Sequence, residues 1–105
     1  MTSEGNKIAE IKKIISYYLP DCEMIMFGSR ARGDNYINSD FDLLIITNET
    51  LYDRLRLHFQ ALIRKSLAHK HILADIIIQT RKGVKEKSRL PGHIVRSAMK
   101  EGILV

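Results

Sequence analysis

The apolar positions of this chain change period several times, and each change marks an element. From Ser3 to Leu19, Ile8, Ile11, Ile15, Tyr18 and Leu19 recur at helical intervals, while Lys7, Glu10, Lys12 and Lys13 fall elsewhere. That spacing predicts a helix with one buried stripe. Ser3 or Asn6 is its candidate cap, and Pro20 ends it, because the residue before a proline avoids the helical region. Glu23 to Phe27 and Asp40 to Ile46 are short apolar runs that predict strands, the second closed by Thr47-Asn48. Thr50 to about His69 predicts a second long helix, with a stripe through Leu51, Leu55, Phe59, Leu62 and Ile63 and a Thr50–Asp53 capping pair. His58 is on or near that stripe and reads as packing, and Tyr17-Tyr18 as half-buried packing. Ile72 to Gln79 predicts a third strand, interrupted by Asp75. Lys82 to Lys87 reads as a charged connection and Leu90-Pro91-Gly92 as a turn. His93 to Lys100 reads as a last helix with apolar positions at Ile94, Val95, Ala98 and Met99. Gly102 is its expected stop, and Ile103-Leu104-Val105 form an apolar end that requires burial.

The pattern is α/β: a small mixed sheet packed with helices. Its polar exceptions cluster between the first two strands, in Phe27 to Ile46, FGSRARGDNYINSDFDLLII. Asp40 and Asp42 are two residues apart at the head of an apolar strand, so they share a face. Like charges this close repel, and burial penalises both. A divalent cation between them removes the conflict, and Mg²⁺ is typically held by one or two carboxylates together with substrate phosphates. On the other side of the stretch, Gly28 ends the first strand and permits close backbone approach. Ser29 offers a hydroxyl, and Ser29 to Arg32 reads as one helical turn whose free amides attract anions. A phosphate cradle beside a metal site indicates a nucleoside triphosphate with Mg²⁺.

Gly28-Ser29, the spacer and Asp40-Phe41-Asp42 together resemble the signature of the nucleotidyltransferase superfamily, the group that includes polymerase β. GSRARG followed by SDFDLLI, and the ending PGHIVRSAMKEGILV, are most similar to the minimal nucleotidyltransferases, over about Ile8 to Val105. The resemblance implies a palm-like fold and a third carboxylate on a later strand, which Asp75 supplies. It implies that Asp40, Asp42 and Asp75 hold Mg²⁺, that Asp75 accepts a proton, and that Gly28 and Ser29 grip the phosphates of ATP. Arg30 or Arg32 would neutralise the leaving pyrophosphate, and the sequence does not choose between them. It further implies a partner, a HEPN-domain toxin, with this chain as the antitoxin that adds AMP to a tyrosine of that partner. The alternatives are a non-catalytic antitoxin that blocks its partner sterically, and a stand-alone transferase for a small-molecule or RNA hydroxyl.

For one nucleotide to meet both Gly28 and Asp40, the first two strands must run antiparallel. Asp75 and Asp42 both sit early in their strands, so the second and third strands must run parallel, with the helix between them as a crossover expected to be right-handed.

Composition narrows this further. At 105 residues the chain is one domain, 1–105. No apolar run approaches the ~20 residues of a membrane span, and the start lacks a signal-peptide pattern. Cys22 is the one cysteine, which excludes an internal disulfide and fits a small apolar residue in a reducing cytoplasm. The formal charge of +5 suits a nucleotide, a nucleic acid or an acidic protein. The late basic run from Arg81 to Arg89 reads as solvated surface. With few aromatics and no Trp, direct nucleic-acid binding is not expected. His69-Lys70-His71 has no further ligands nearby to complete a zinc set. With almost nothing beyond a catalytic core, the acceptor site is expected from a partner or from an oligomer such as a homodimer.

Overall fold

The computed structural model describes residues 3–48 and 51–105. Its order is α1 (Ser3–Tyr18), β1 (Glu23–Phe27), α2 (Ser29–Arg32), β2 (Phe41–Thr47), α3 (Asp53–His69), β3 (Ala74–Thr80), α4 (Arg81–Lys87), α5 (Ile94–Glu101) and β4 (Ile103–Leu104). The four strands form one sheet in the order β3-β2-β1-β4. β1 and β2 run antiparallel, and β2 and β3 run parallel across α3, as the two site arguments require.

Alternation along the strands divides the core into two layers. Met24, Met26, Leu43, Ile45, Ile76 and Ile78 face α1 and α3, where Ile11, Ile15, Ile63 and Leu67 complete the larger cluster. Ile25, Phe27, Leu44 and Ile46 face the opposite way and meet Val84, Val95 and Ala98 of α4 and α5. Because side chains repeat with period two, Asp42 continues the face of Leu44 and Ile46, and Asp75 that of Ile77. The two carboxylates therefore belong to the α4/α5 side of the sheet. β3 is an edge strand, and the side-chain oxygen of Gln60 accepts from its Ile78 amide at 3.2 Å, covering part of that edge. Among the described residues, no helix is long and apolar enough to cross a membrane.

Several expectations are corrected. Lys82 to Lys87 is not a connection but most of α4, started by the Thr80 hydroxyl, which accepts from the Gly83 amide at 2.9 Å. Only Val84 of α4 is buried, so the helix leaves almost no apolar period in the sequence. The end of the chain is not buried as a unit. Ile103 and Leu104 pair with Met26 and Ile25 of β1 through the backbone and leave their side chains exposed. Val105 packs on the larger cluster. Leu55, Ile94 and Met99 are exposed, so the stripe of α3 runs through Phe59, Ile63 and Leu67, and that of α5 through Val95 and Ala98. His58 is exposed rather than packed, and so is Tyr17. Tyr18 is half-buried and shares a hydrogen bond of 3.1 Å with Ser66. Asn6 lies inside α1 and not at its cap. The Thr50 half of the expected capping pair lies outside the described residues, and Tyr52 occupies the cap position of α3 without a side-chain hydrogen bond.

Candidate active site

The site forms where β1 ends and β2 and β3 begin. In the sheet register Asp42 stands opposite Phe27 on one side and opposite Asp75 on the other. Neighbouring strands lie about 4.8 Å apart, so the two carboxylates start from adjacent backbone positions on one face. Asp40 enters two residues before Asp42, just ahead of the strand. Asp40 and Asp75 are exposed, and Asp42 is half-buried. Burial pushes the Asp42 carboxyl up from its ordinary value, and the negative charges of Asp75 and Asp40 push it further in the same direction. Among the described residues, Arg32 is the charge that opposes the rise.

Gly28 follows directly. Its φ of 72° and ψ of −156° belong to a region that is essentially glycine-only. The chain turns there from β1 into α2, which closes on a left-handed Gly33 at φ 80°. A side chain at Gly28 would run into the Asp42 carboxylate. The glycine thus lets backbone and carboxylate approach more closely than any other residue would.

The two arginines of α2 do different work. Arg30 is buried, with its guanidinium 4.0 Å from the centre of the Phe41 ring. Its Nε and Nη2 donate to the Ser39 carbonyl at 3.0 and 2.8 Å, and Nη2 also donates to the Ile37 carbonyl at 3.1 Å. Arg30 therefore clamps the segment that delivers Asp40. Replacing Arg30 by Ala is expected to cost about 3 kcal/mol, from the lost charged hydrogen bonds and the ring contact. Urea denaturation measures this, and Arg30→Lys should recover little of it, because an ammonium lacks the planar fork.

Arg32 is half-exposed and faces the site. Its Nε pairs with Asp34 at 3.2 Å and its Nη1 with Glu101 at 3.3 Å. The hydrogen bond to Asp34, then the charges of Asp34 and Glu101, raise its already high pKa. Ser29 opens α2, and its carbonyl accepts from the amides of Gly33 and Asp34.

Glu101 has no counterpart among the sequence-based candidates. It ends α5, and its Oε1 accepts from the Gly28 amide at 3.3 Å as well as from Arg32. One signal for it was present in the sequence: an acid closing a helix stands at the unfavourable end of the helix dipole.

The donor chemistry fits a hard cation, because three carboxylates gather near one strand end and one of them is destabilised in its charged form. Among the described residues, no three His, Cys, Asp or Glu side chains close around a single point. The fit is thus to an open site in which substrate oxygens and water complete the coordination. His69 and His71 lie at the turn between α3 and β3, with His71 at a φ of 60°. Cys22 is half-buried, and burial pushes its thiol up, which makes it a poor nucleophile. A hollow of about 520 Å³ lies between α1 and α3, and two others lie at the opposite end of the sheet. One of about 330 Å³ is lined by residues including Arg56, Thr80 and Lys87, and one of about 450 Å³ by residues including Tyr18, Cys22 and Phe59. The carboxylates occupy an open rim and not a deep pocket.

Comparison with known proteins agrees with this geometry. Residues 8–105 match the family model of the nucleotidyltransferase domain. No curated protein matches the chain. Among solved structures, one similar chain belongs to a toxin–antitoxin with AMP-PNP, with 19% identity, 94% of this chain and 69% of that chain covered and a TM-score of 0.58. Another belongs to a tri-AMPylated Shewanella oneidensis HEPN toxin in complex with MNT antitoxin, with 14% identity, coverage of 95% and 69% and a TM-score of 0.59. A third is a nucleotidyltransferase, described as putative, from Sulfolobus solfataricus, with 24% identity, coverage of 94% and 76% and a TM-score of 0.54. At these identities the solved structures establish a shared fold.

Proposed function

The chain belongs to the nucleotidyltransferase domain family, and from that premise we propose that it transfers AMP from ATP to a tyrosine hydroxyl of a partner HEPN-domain toxin, as the antitoxin of the pair. The observation that carries the chemistry is the Asp42–Asp75 register pair beside Gly28, with Asp42 pushed up by burial and by its two acidic neighbours. The toxin–antitoxin complexes among the similar folds support the choice of acceptor.

Asp40, Asp42 and Asp75 would hold Mg²⁺, which supplies charge neutralisation for the phosphates and for the attacking and leaving oxygens. The chain's own groups do the positioning. The Gly28 amide and the Ser29 hydroxyl hold the β and γ phosphates. Arg32, half-exposed and turned to the site, faces the pyrophosphate, while Arg30 is committed to the loop carbonyls. Asp75, exposed at the strand head, takes the proton of the acceptor hydroxyl. The hydroxyl oxygen forms a bond to the α phosphorus as the bond from that phosphorus to the bridging oxygen breaks, and pyrophosphate leaves. An open rim suits an acceptor presented by another macromolecule.

The test is intact-mass spectrometry of the protein encoded beside this chain, after incubation with ATP and Mg²⁺. A gain of one or more AMP units on that protein is expected, and none with Asp75→Asn. A stable complex with no mass gain would instead identify a steric antitoxin.

A further inference from the structure

The donors assigned to the phosphates already hold an anion. Glu101 Oε1 accepts from the Gly28 amide and from Arg32 Nη1, each at 3.3 Å. Nothing local favours a carboxylate there. Glu101 closes an eight-residue helix, where the dipole is negative. Its charge also adds to those that disfavour ionised Asp42. What holds it is the pair of donors that a polyphosphate needs, an amide N–H and a guanidinium. Resting on the nucleotidyltransferase reading, we propose that Glu101 is a tethered occupant of the phosphate cradle, and that a nucleotide binds by displacing it.

The geometry also indicates how the cradle opens. Gly102, next in the chain, fits so closely that a side chain there would strike Ile25 and the Ala98 carbonyl. Immediately afterwards β4 is fixed to β1 by the pairs Ile25–Leu104 and Met26–Ile103. The backbone at the end of α5 is therefore held on the sheet, and rotation of the Glu101 side chain clears the site. The Glu101 side chain is about one-third exposed, which leaves it room to swing into solvent. Each nucleotide must replace this contact, so Glu101 lowers the affinity for free polyphosphate and for ATP alike. It also keeps Arg32 and the Gly28 amide satisfied when no nucleotide is bound.

Isothermal titration with inorganic tripolyphosphate, without divalent metal and at fixed ionic strength, tests this. Glu101→Ala should bind roughly tenfold more tightly than the wild type, since one charge-assisted hydrogen-bond set no longer competes. Glu101→Gln, which keeps an acceptor oxygen but not the charge, should fall between them. Asp34→Asn is the comparator, because Asp34 pairs with Arg32 but makes no contact with the Gly28 amide. Its gain should be clearly smaller than that of Glu101→Ala. An equal gain would mean that only net charge matters, and it would overturn the proposal. So would unchanged or weaker tripolyphosphate binding by both Glu101 variants while the wild type still binds ATP with Mg²⁺, an outcome that leaves the functional reading standing. If neither wild type nor variants bind tripolyphosphate or ATP with Mg²⁺, the functional reading falls together with the proposal.

Discussion

Asp42→Asn is expected to abolish the proposed nucleotidyl transfer while leaving the protein at least as stable as the wild type. Both halves follow from the position of Asp42 in the register, between Phe27 and Asp75. In the proposed role of cation ligand its carboxylate would contribute several kcal/mol to the transition state, so its loss should slow transfer by roughly a thousandfold. For folding the same charge is a burden. The folded state raises its pKa, chiefly through burial and then through Asp75 and Asp40. Between the ordinary aspartate value and the raised one, the folded state binds more protons than the unfolded state. Stability therefore falls as pH rises through that window. Asparagine keeps the shape and carries no charge. Urea denaturation should show the variant gaining on the wild type from acid to neutral pH, while transfer stays at background throughout. A variant that loses stability at neutral pH would show that Asp42 is paired with a protein cation and is not awaiting a metal.

The second large effect is at Gly28. Gly28→Ala places a methyl group against the Asp42 carboxylate, in a backbone conformation that only glycine adopts comfortably. Backbone strain of about 1–3 kcal/mol adds to a local overpacking of similar size. The variant should lose about 3 kcal/mol of stability and nearly all transfer, because relief comes most readily by moving Asp42. Gly33→Ala separates the two causes. Gly33 also has a positive φ of 80°, but nothing lies within 4 Å of the position its side chain would take. That variant should lose only about 1 kcal/mol, from strain alone, and keep its activity. Thermal melts and transfer assays on the two glycine variants decide the matter. Equal losses of activity would mean that the turn geometry, and not the approach to Asp42, is what the site requires.

The strands were the most legible part of the chain. β1 runs over the residues its apolar run marks, and β2 is displaced by one at each end. The antiparallel and parallel pairings follow from asking which strand ends must meet. β3 was less clear, because buried Ile72 lies before the strand and bonds back to the Leu67 carbonyl, so its apolar character belongs to the core and not to the sheet. α4 was hidden by having a single buried residue and a glycine. β4 was hidden because edge pairing uses the backbone, which carries no residue code.

Of the candidate site, Gly28, Ser29, Asp40, Asp42 and Asp75 are proposed from spacing and resemblance alone. The division of labour between Arg30 and Arg32 could not be read that way. Adjacent residues of one helical turn look alike in sequence, and only the fold shows Arg30 committed to the carbonyls of Ser39 and Ile37. Glu101 is legible only as an acid at the unfavourable end of a helix, and its place at the site is not, for a related reason. It is 73 residues from Gly28 in the chain and meets it only because α5 packs on the face that carries Asp42.

The central claim is that one nucleotide spans the Gly28 turn and the carboxylates of β2 and β3. A crystal structure with Mn²⁺ and a non-hydrolysable ATP analogue, with anomalous data at the manganese edge, tests it most directly. The account predicts an anomalous peak within about 2–2.5 Å of oxygens of Asp42 and Asp75. It also predicts that the β and γ phosphates occupy the position of the Glu101 carboxylate, against the Gly28 amide and Arg32. A nucleotide seated in the hollow at the far end of the sheet, near Arg56 and Thr80, with no metal at Asp42, would contradict it.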